Sequence, residues 1–562
     1  MCAVIGMLWP VLMVAVDLPA SKQPSSAEAG FASLKDAYVA RYRPLFLESR
    51  QAEWAASNSG SDEDYSRVRT VAKALVDLHS DRQVFEKLND LRASGQISNP
   101  VLRRELEVMY RAFLPGQADP ELRKRIVDLE ADLDQIFNTH RSRVGEQTLT
   151  ENQVRAILAE TAVSADAEAA WKGYMEVGQK AAAKLAELVR LRNQMARQLG
   201  FRDYFALQLA LQEIDEQELL RLFEELDGLT RVPFAQLKQQ IDAERATRFG
   251  ISTSELRPWH YGDLFFQEAP RGEDVNLDEL FANADLPALS RRYYASLGLP
   301  VDDILARSDL YEKPGKSPHA FCTDMDRAGD VRILTNLAPT LYWADTILHE
   351  LGHAVYDKNI SPDVPFLLHE CSHPLTTEGI ALLFGAMAKN EDWQQRVLGL
   401  PAARAAEIGR PTRAALRAER LIFSRWAQVM LHFERGMYGD PDQDLGKLWW
   451  DLKQRYQLLN PPESVHRPDY AAKTHILSTP VYYHNYLMGE LFAAQVRHYI
   501  ATSVLKAAAP DQNCFYEEPR VGEYLRQKIF GPGNLHPWNE LTRLATGEPL
   551  SPKYFAAELA SP

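Results

Sequence analysis

Apolar residues recur at three- and four-residue steps from Ala27 to about Phe249, as in the segment FASLKDAYVARYRPLFLESRQAEWAA. That spacing puts one apolar stripe on each helix, so the whole stretch predicts amphipathic helices, with Gly and Pro sparse inside them. Residues Ala167–Gln198 predict one long helix. Pro258, Trp259, Gly262 and Pro270 interrupt the pattern between Leu256 and Gly272, which predicts a loop joining two helical sections. Helical periodicity resumes from Asn276 to Leu297, with a break expected at Pro287. Pro314, Gly315 and Pro318 mark a second loop over Tyr311–Pro318.

The segment HAFCTDMDRAGDVRILTN, His319–Asn336, differs from its surroundings. Two short runs flank a turn built on Ala328, Gly329 and Asp330, and the second run, VRIL, is rich in β-forming residues. A hairpin is expected there. The remainder reads as helical, apart from loops near Pro401, Pro461 and Gly531–Pro537. No repeat of solenoid period and no low-complexity segment occurs. The fold class predicted is mainly α, with one small hairpin.

The chain has 562 residues, with 63 Lys+Arg against 77 Asp+Glu and a net charge of −14. An acidic balance argues against a nucleic-acid binder, because phosphate neutralisation needs surplus cations. The cysteines, Cys2, Cys322, Cys371 and Cys514, are too few for a disulfide scaffold and are expected as free buried thiols. The first residues, MCAVIGMLWPVLMVAVDLPASKQPSS, form an apolar run and then a polar stretch. They suit a signal peptide over residues 1–24, although the basic start of such a segment is missing. A secreted or periplasmic location follows, or a cytoplasmic one if the segment is no signal. A short membrane anchor and a mis-chosen start codon are the rival readings. No other stretch is apolar enough to predict a membrane span.

His349-Glu350-Leu351-Gly352-His353 carries the chemistry. On a helix, side chains four apart share a face, so His349 and His353 present two imidazole nitrogens to one tetrahedral Zn²⁺. Glu350 can then reach a water held there and take its proton. Apolar Leu341, Ala344, Leu348, Leu351 and Val355 support the helix. A third protein ligand is needed, and Glu378, 25 residues after His353, opens the next helical pattern, with Thr376 or Thr377 as its N-cap. The same motif recurs at His369-Glu370-Cys371-Ser372-His373. Pro374 follows it, and Pro362 and Pro365 precede it, so a continuous helix is disfavoured. This copy reads as a coincidence or a cleft-lining loop.

The chain resembles the angiotensin-converting-enzyme family of zinc peptidyl-dipeptidases. His319, Ala320, Asp324, Asp330, Arg332 and Ile333 coincide with the family's hairpin, and the interval from His319 to His349 agrees without a gap. KTHILSTPVYYHNY resembles its Lys-x-His and Pro-Tyr-x-x-Tyr segment, and SLGL, the EKP of Glu312–Pro314, NCFYEEPRVGEYLRQKIF and TGEPL echo it. The likeness runs from about Leu256 to Glu558. It implies a large two-lobed helical metallopeptidase with a deep central groove, residues 25–562 forming a single domain. It implies one zinc per chain on His349, His353 and Glu378, with Glu350 as general base. His475 and Tyr486 would donate to the oxyanion. His319 and Ala320, on an edge strand, would bind the backbone of an oligopeptide substrate. Lys473 and Tyr483 would hold its C-terminal carboxylate.

Several positions depart from the family pattern. The tyrosine pair lies one residue further from His475, leaving Tyr482 a rival to Tyr483. Asn485 replaces the Arg of chloride-activated members, and Leu382 replaces an Asp that supports a zinc histidine. The zinc glutamate comes one residue late. The Gln that joins Lys on the carboxylate is not recognisable, and Tyr261 stands near its place. The oligoendopeptidase and thimet-oligopeptidase family shares the site type, so internal cleavage is the rival activity. An inactive peptide-binding protein is the rival of another class. Oligomeric state is not readable.

Overall fold

The computed structural model describes residues 24–270, 277–507 and 513–560. The apolar leader expected over residues 1–24 lies outside them but for its last residue. Among the described residues no helix is long and apolar enough to cross a membrane.

Helices dominate, as the periodicity predicts, and local chemistry sets their ends. Ser25 caps the Ser26–Ser59 helix in a capping box with Glu28, and Gly60 closes it in the left-handed conformation at φ 64°. The long helix runs Ser164–Gln198, three residues earlier than its apolar pattern begins. Pro287 does not break a helix. It sits in the first turn of Leu286–Ser296, where its missing N–H costs nothing.

The first four described helices, through Pro100–Phe113, close with Leu367 on a small core around Phe31, Leu88, Leu106 and Phe113. The main core extends from Leu114 to Leu559 and includes the apolar faces of all the elements around the motif.

Among the described residues two hairpins are present where one is expected. The unforeseen one pairs β1 (Ser142–Val144) with β2 (Gln147–Leu149) inside the region read as helical. Its two-residue loop has Gly145 at φ 60°, the positive value such tight turns require. The expected hairpin pairs β3 (Phe321–Asp324) with β4 (Val331–Leu334). His319 and Ala320 stand just before β3 rather than in it. On its far side β4 meets Asp309 through Leu334, whereas the outer edge of β3 has no described strand partner.

The site is positioned by three helices that touch closely: Leu341–Lys358, which carries the motif, Pro374–Gly385 and Tyr483–Tyr499. A Cβ added to Gly352 would lie 2.8 Å from Cα of Ala381, and one on Gly379 would lie 2.9 Å from the carbonyl oxygen of Gly489. Both separations are too short for a side chain, so glycine sets the distance between these backbones. The β3–β4 hairpin packs along the motif helix, with Asp324 near enough to Asp357 to act on its charge. The mainly α class with a small hairpin next to the motif helix is the fold observed.

Candidate metal centre

Thr340 caps the motif helix by accepting the N–H of Trp343, and the helix continues unbroken through the motif to Lys358. His349 and His353 therefore stand one turn apart on one face, ring centroids 5.0 Å apart. Glu378 is brought opposite them by the next helix. Its Oε1 lies 3.8 Å from Nε2 of His349 and its Oε2 lies 3.7 Å from Nε2 of His353. One ligand atom from each of the three falls within 4.8 Å of the others, and among the described residues this is the one such group of three or more. Zinc with bonds near 2.0–2.1 Å separates tetrahedral ligand atoms by roughly 3.4 Å, so the set fits that ion.

The protonation chemistry agrees. Burial, with His349 adjacent, pushes His353 down to about 3, so its ring is the neutral form a metal needs. The oxygen of the Thr377 hydroxyl lies 2.8 Å from Nδ1 of His353. That contact supports an Nδ1–H tautomer and leaves Nε2 facing Glu378. Leu382, where the resemblance leads one to expect an Asp, offers no such acceptor. Burial also raises Glu350 to about 7, against the pull of His349 and with Glu378 adding to it. A carboxyl near that value holds and releases a proton around neutral pH.

Glu378 does not open its helix. Pro374 does, and the N-cap is His373 rather than Thr376 or Thr377, its Nδ1 accepting the N–H of Leu375 at 3.1 Å. The second motif copy is thereby split. His369 ends a short 3-10 turn, Phe366–Leu368, and His373 begins the next helix, so the two rings share no helical face.

A cavity of about 460 Å³ adjoins the triad, lined in part by Glu378, Gln267, Asp345, His475, Tyr483 and Tyr486. The His475 ring lies 5.2 Å from that of Tyr483 and 6.4 Å from that of Tyr486. Burial, then the neighbouring Lys473, push His475 down to about 4. Burial raises Tyr486, and Glu378 adds to this, so its hydroxyl keeps its proton. Both rings can therefore face the cavity as neutral groups.

Lys473 is buried within an aromatic box. Its ammonium lies 5.3 Å from the rings of Phe265 and Trp426 and 5.4 Å from that of Tyr483. Burial lowers it to about 8, against the pull of Asp263. It pairs with no described carboxylate and donates instead to Oε1 of Gln267 at 2.7 Å. Of the rival tyrosines, Tyr483 joins Lys473, whereas Tyr482 packs on Tyr486 at 5.3 Å.

Gln267 is the residue that sequence reasoning missed. It lies 206 positions from Lys473, in the loop after Tyr261. Tyr261 is not its substitute: its buried hydroxyl donates to Asp242 at 2.7 Å and accepts from Lys238. The only cue in the sequence is the composition break that marks this loop. Asn485 is likewise buried and donates to Oε1 of Gln212 at 2.7 Å, so no guanidinium stands at that position. His319 is exposed and Ala320 half-buried, both leading into the open edge of β3. Cys322, Cys371 and Cys514 are free thiols, as expected, but only Cys514 is buried and the other two are half-buried; Cys2 is outside the described residues.

Comparison with known proteins adds a family. A model described as angiotensin-converting enzyme, peptidase M2, matches residues 25–252 and 278–553. The angiotensin-converting enzymes of Rattus norvegicus and Sus scrofa are each 23% identical, over 564 and 568 residues. Each alignment takes in 93% of this chain but 42% of the relative, so the chain spans less than half the length of these proteins. An angiotensin-converting enzyme-like protein, Ace3, of Mus musculus is 22% identical over 96% of the chain and 78% of its own length.

Proposed function

The chain belongs to the angiotensin-converting-enzyme family, and on that premise we propose that it is a zinc-dependent peptidase that removes dipeptides from the C-terminal ends of short peptides. The observation that carries the dipeptide reading is Lys473. It is a buried ammonium with no described carboxylate partner, held by Gln267 and ringed by aromatic side chains, and Gln267 and Tyr483 line the same cavity as Glu378. Asp263 pulls on this buried ammonium without pairing with it, and a free C-terminal carboxylate would supply the direct partner it lacks.

Bound by His349, His353 and Glu378, zinc would supply Lewis-acid polarisation of the scissile carbonyl and acidify the attacking water. Glu350 takes the water's proton and returns it to the leaving amine. His475 and Tyr486 donate hydrogen bonds to the carbonyl oxygen as it gains negative charge, which favours the transition state over the ground state. The open edge of β3, extended by His319 and Ala320, adds the substrate backbone as a further strand. Lys473, Gln267 and Tyr483 fix the terminal carboxylate, so the cut falls at a set distance from the end.

Residues 25–562 act in this reading as one peptidase unit: the main core joins Leu114 to Leu559, and the N-terminal helices are tied to it through Arg104, which bonds Asn534 and Glu213. The apolar start of the sequence supports a secreted or periplasmic site of action.

Quenched peptides with free and with amidated C-termini, assayed with and without a chelator, test the proposal. The expected result is chelator-sensitive release of dipeptides that amidation abolishes. Unchanged cleavage of amidated peptides would replace it with internal cleavage, the oligoendopeptidase activity. No chelator-sensitive cleavage across a broad peptide pool would leave an inactive peptide-binding protein.

A further inference from the structure

The second His-Glu-x-x-His segment does not sit at the metal centre, yet its glutamate is engaged. Oε2 of Glu370 accepts from Nη2 of Arg327, and its Oε1 accepts from Nδ2 of Asn534 at 3.2 Å. Arg327 belongs to the turn between β3 and β4 and holds a left-handed backbone at φ 55°. An arginine on a hairpin turn ordinarily extends into water. This one is turned inward, with 7% of its side chain exposed. Its Nη1 donates to the carbonyl of Phe366 at 2.7 Å, and its guanidinium lies 4.6 Å from the ring of Phe46 and 5.0 Å from that of Phe366.

The contact reaches both ends of a relay. Oδ1 of Asp324, the last residue of β3, accepts the N–H of Asp326 at 3.1 Å and of Arg327 at 2.9 Å, so the orientation of Arg327 is tied to the strand. On the other side, the backbone oxygen of Asn534 accepts from Nε of Arg104 at 2.9 Å, and Arg104 pairs with Glu213. Arg104 and Phe46 come from the N-terminal helices, so one clamp joins these helices, the loop between the ligand helices and the hairpin.

Its place along the groove matters. The motif helix passes from Asp345, which lines the cavity with Gln267 and Glu378, through Glu350 to Asp357. β3 packs on this helix, and Asp324, at the clamped end of the strand, is the charge that acts most strongly on Asp357. The clamped end of β3 is therefore on the opposite side of Glu350 from the carboxylate pocket.

We propose that Glu370 and Arg327 are positioning residues that hold the open edge of β3 in place for the part of a peptide lying N-terminal to the cleaved bond. This rests on the peptidase reading above. Neither residue touches the reacting atoms. They act through the strand, and a charge-assisted pair with a forked geometry fixes orientation better than a neutral contact.

The test is a series of peptides with one C-terminal dipeptide and one to five residues before the scissile bond, assayed on the full chain and on Arg327→Ala, Glu370→Gln and the double variant. For the longest peptides kcat/KM should fall about tenfold, mostly through KM, as loss of a charged hydrogen bond predicts. For the shortest it should stay within about twofold, with bound zinc unchanged. The double variant should lose no more than Arg327→Ala alone, because that change already removes the Arg327–Glu370 pair. Glu370→Gln preserves shape and the Asn534 contact, so it remains informative if Arg327→Ala folds poorly. An equal loss at every length, or none at any length, overturns the inference. A wild-type chain that cleaves no peptide overturns the peptidase reading instead.

Discussion

The hydroxyl oxygen of Thr377 lies 2.8 Å from Nδ1 of His353, and Glu378, the next residue, turns its carboxylate to the same ring. As acceptor for the imidazole N–H, the hydroxyl fixes which nitrogen is left for a metal. Thr377→Val should lower zinc affinity about 10–100-fold, as loss of such outer partners does, while Thr377→Ser should retain most of it. Metal titration with a competing chelator reads this directly.

Zinc content should separate the two motif copies. Glu378→Ala should lose bound metal. Glu350→Gln should keep it and lose about 10²–10⁴ in turnover, the usual worth of a general base. His369→Ala should retain metal. His373→Ala should also retain it while costing about 1 kcal/mol of stability, since its ring caps the Pro374–Gly385 helix. Metal loss in His369→Ala would mean that the wrong copy had been assigned.

Lys473 sets a pH dependence. Burial holds it at about 8 instead of 10.5, so the ammonium is present below pH 8 and lost above it. KM for peptides with a free C-terminal carboxylate should therefore rise as pH passes 8. Lys473→Met should show a high KM at every pH and no such inflection. Stability moves the other way. Between pH 8 and 10.5 the unfolded chain binds the extra proton, so wild-type stability rises across that window.

Tyr486→Phe and His475→Ala should each lower kcat by about 10²–10³ with little change in KM, because their hydrogen bonds matter once charge develops on the carbonyl oxygen. Tyr482→Phe should leave kcat near wild type. Steady-state kinetics on one peptide distinguishes these cases.

Gly352→Ala places a methyl group 2.8 Å from the backbone of Ala381. Overpacking of this kind costs about 1–3 kcal/mol, and the helix that must shift carries Glu378. Both the thermal midpoint and the zinc content should fall together.

How far the sequence foretold these features follows the distance between partners. His349, Glu350 and His353 share one helix, so their geometry is contained in a five-residue word. Glu378 needs only a loop and a return helix. Gln267 meets Lys473 across 206 positions through a loop with no periodicity, and no local rule connects them. The β1–β2 hairpin escapes because its strands are three residues each, too short to override the helical rhythm around them, although Gly145 was a usable cue. Thr376 and Thr377 suit an N-cap by residue type, but Pro374 starts the helix earlier, and a histidine ring does the capping. The second His-Glu-x-x-His is a correct pattern in the wrong backbone, since its histidines flank a non-helical stretch between a 3-10 turn and the next helix.

The glycine contact between the motif helix and the Pro374–Gly385 helix has a consequence for the evolution of this site. The ligand triangle is located by two backbones meeting side on, not by the length of chain that joins them. The connecting loop is then a free variable: residues can enter or leave it without moving Glu378 from opposite His349 and His353. A single alanine at Gly352 would therefore disturb the triangle of His349, His353 and Glu378 more than an extra residue in the loop.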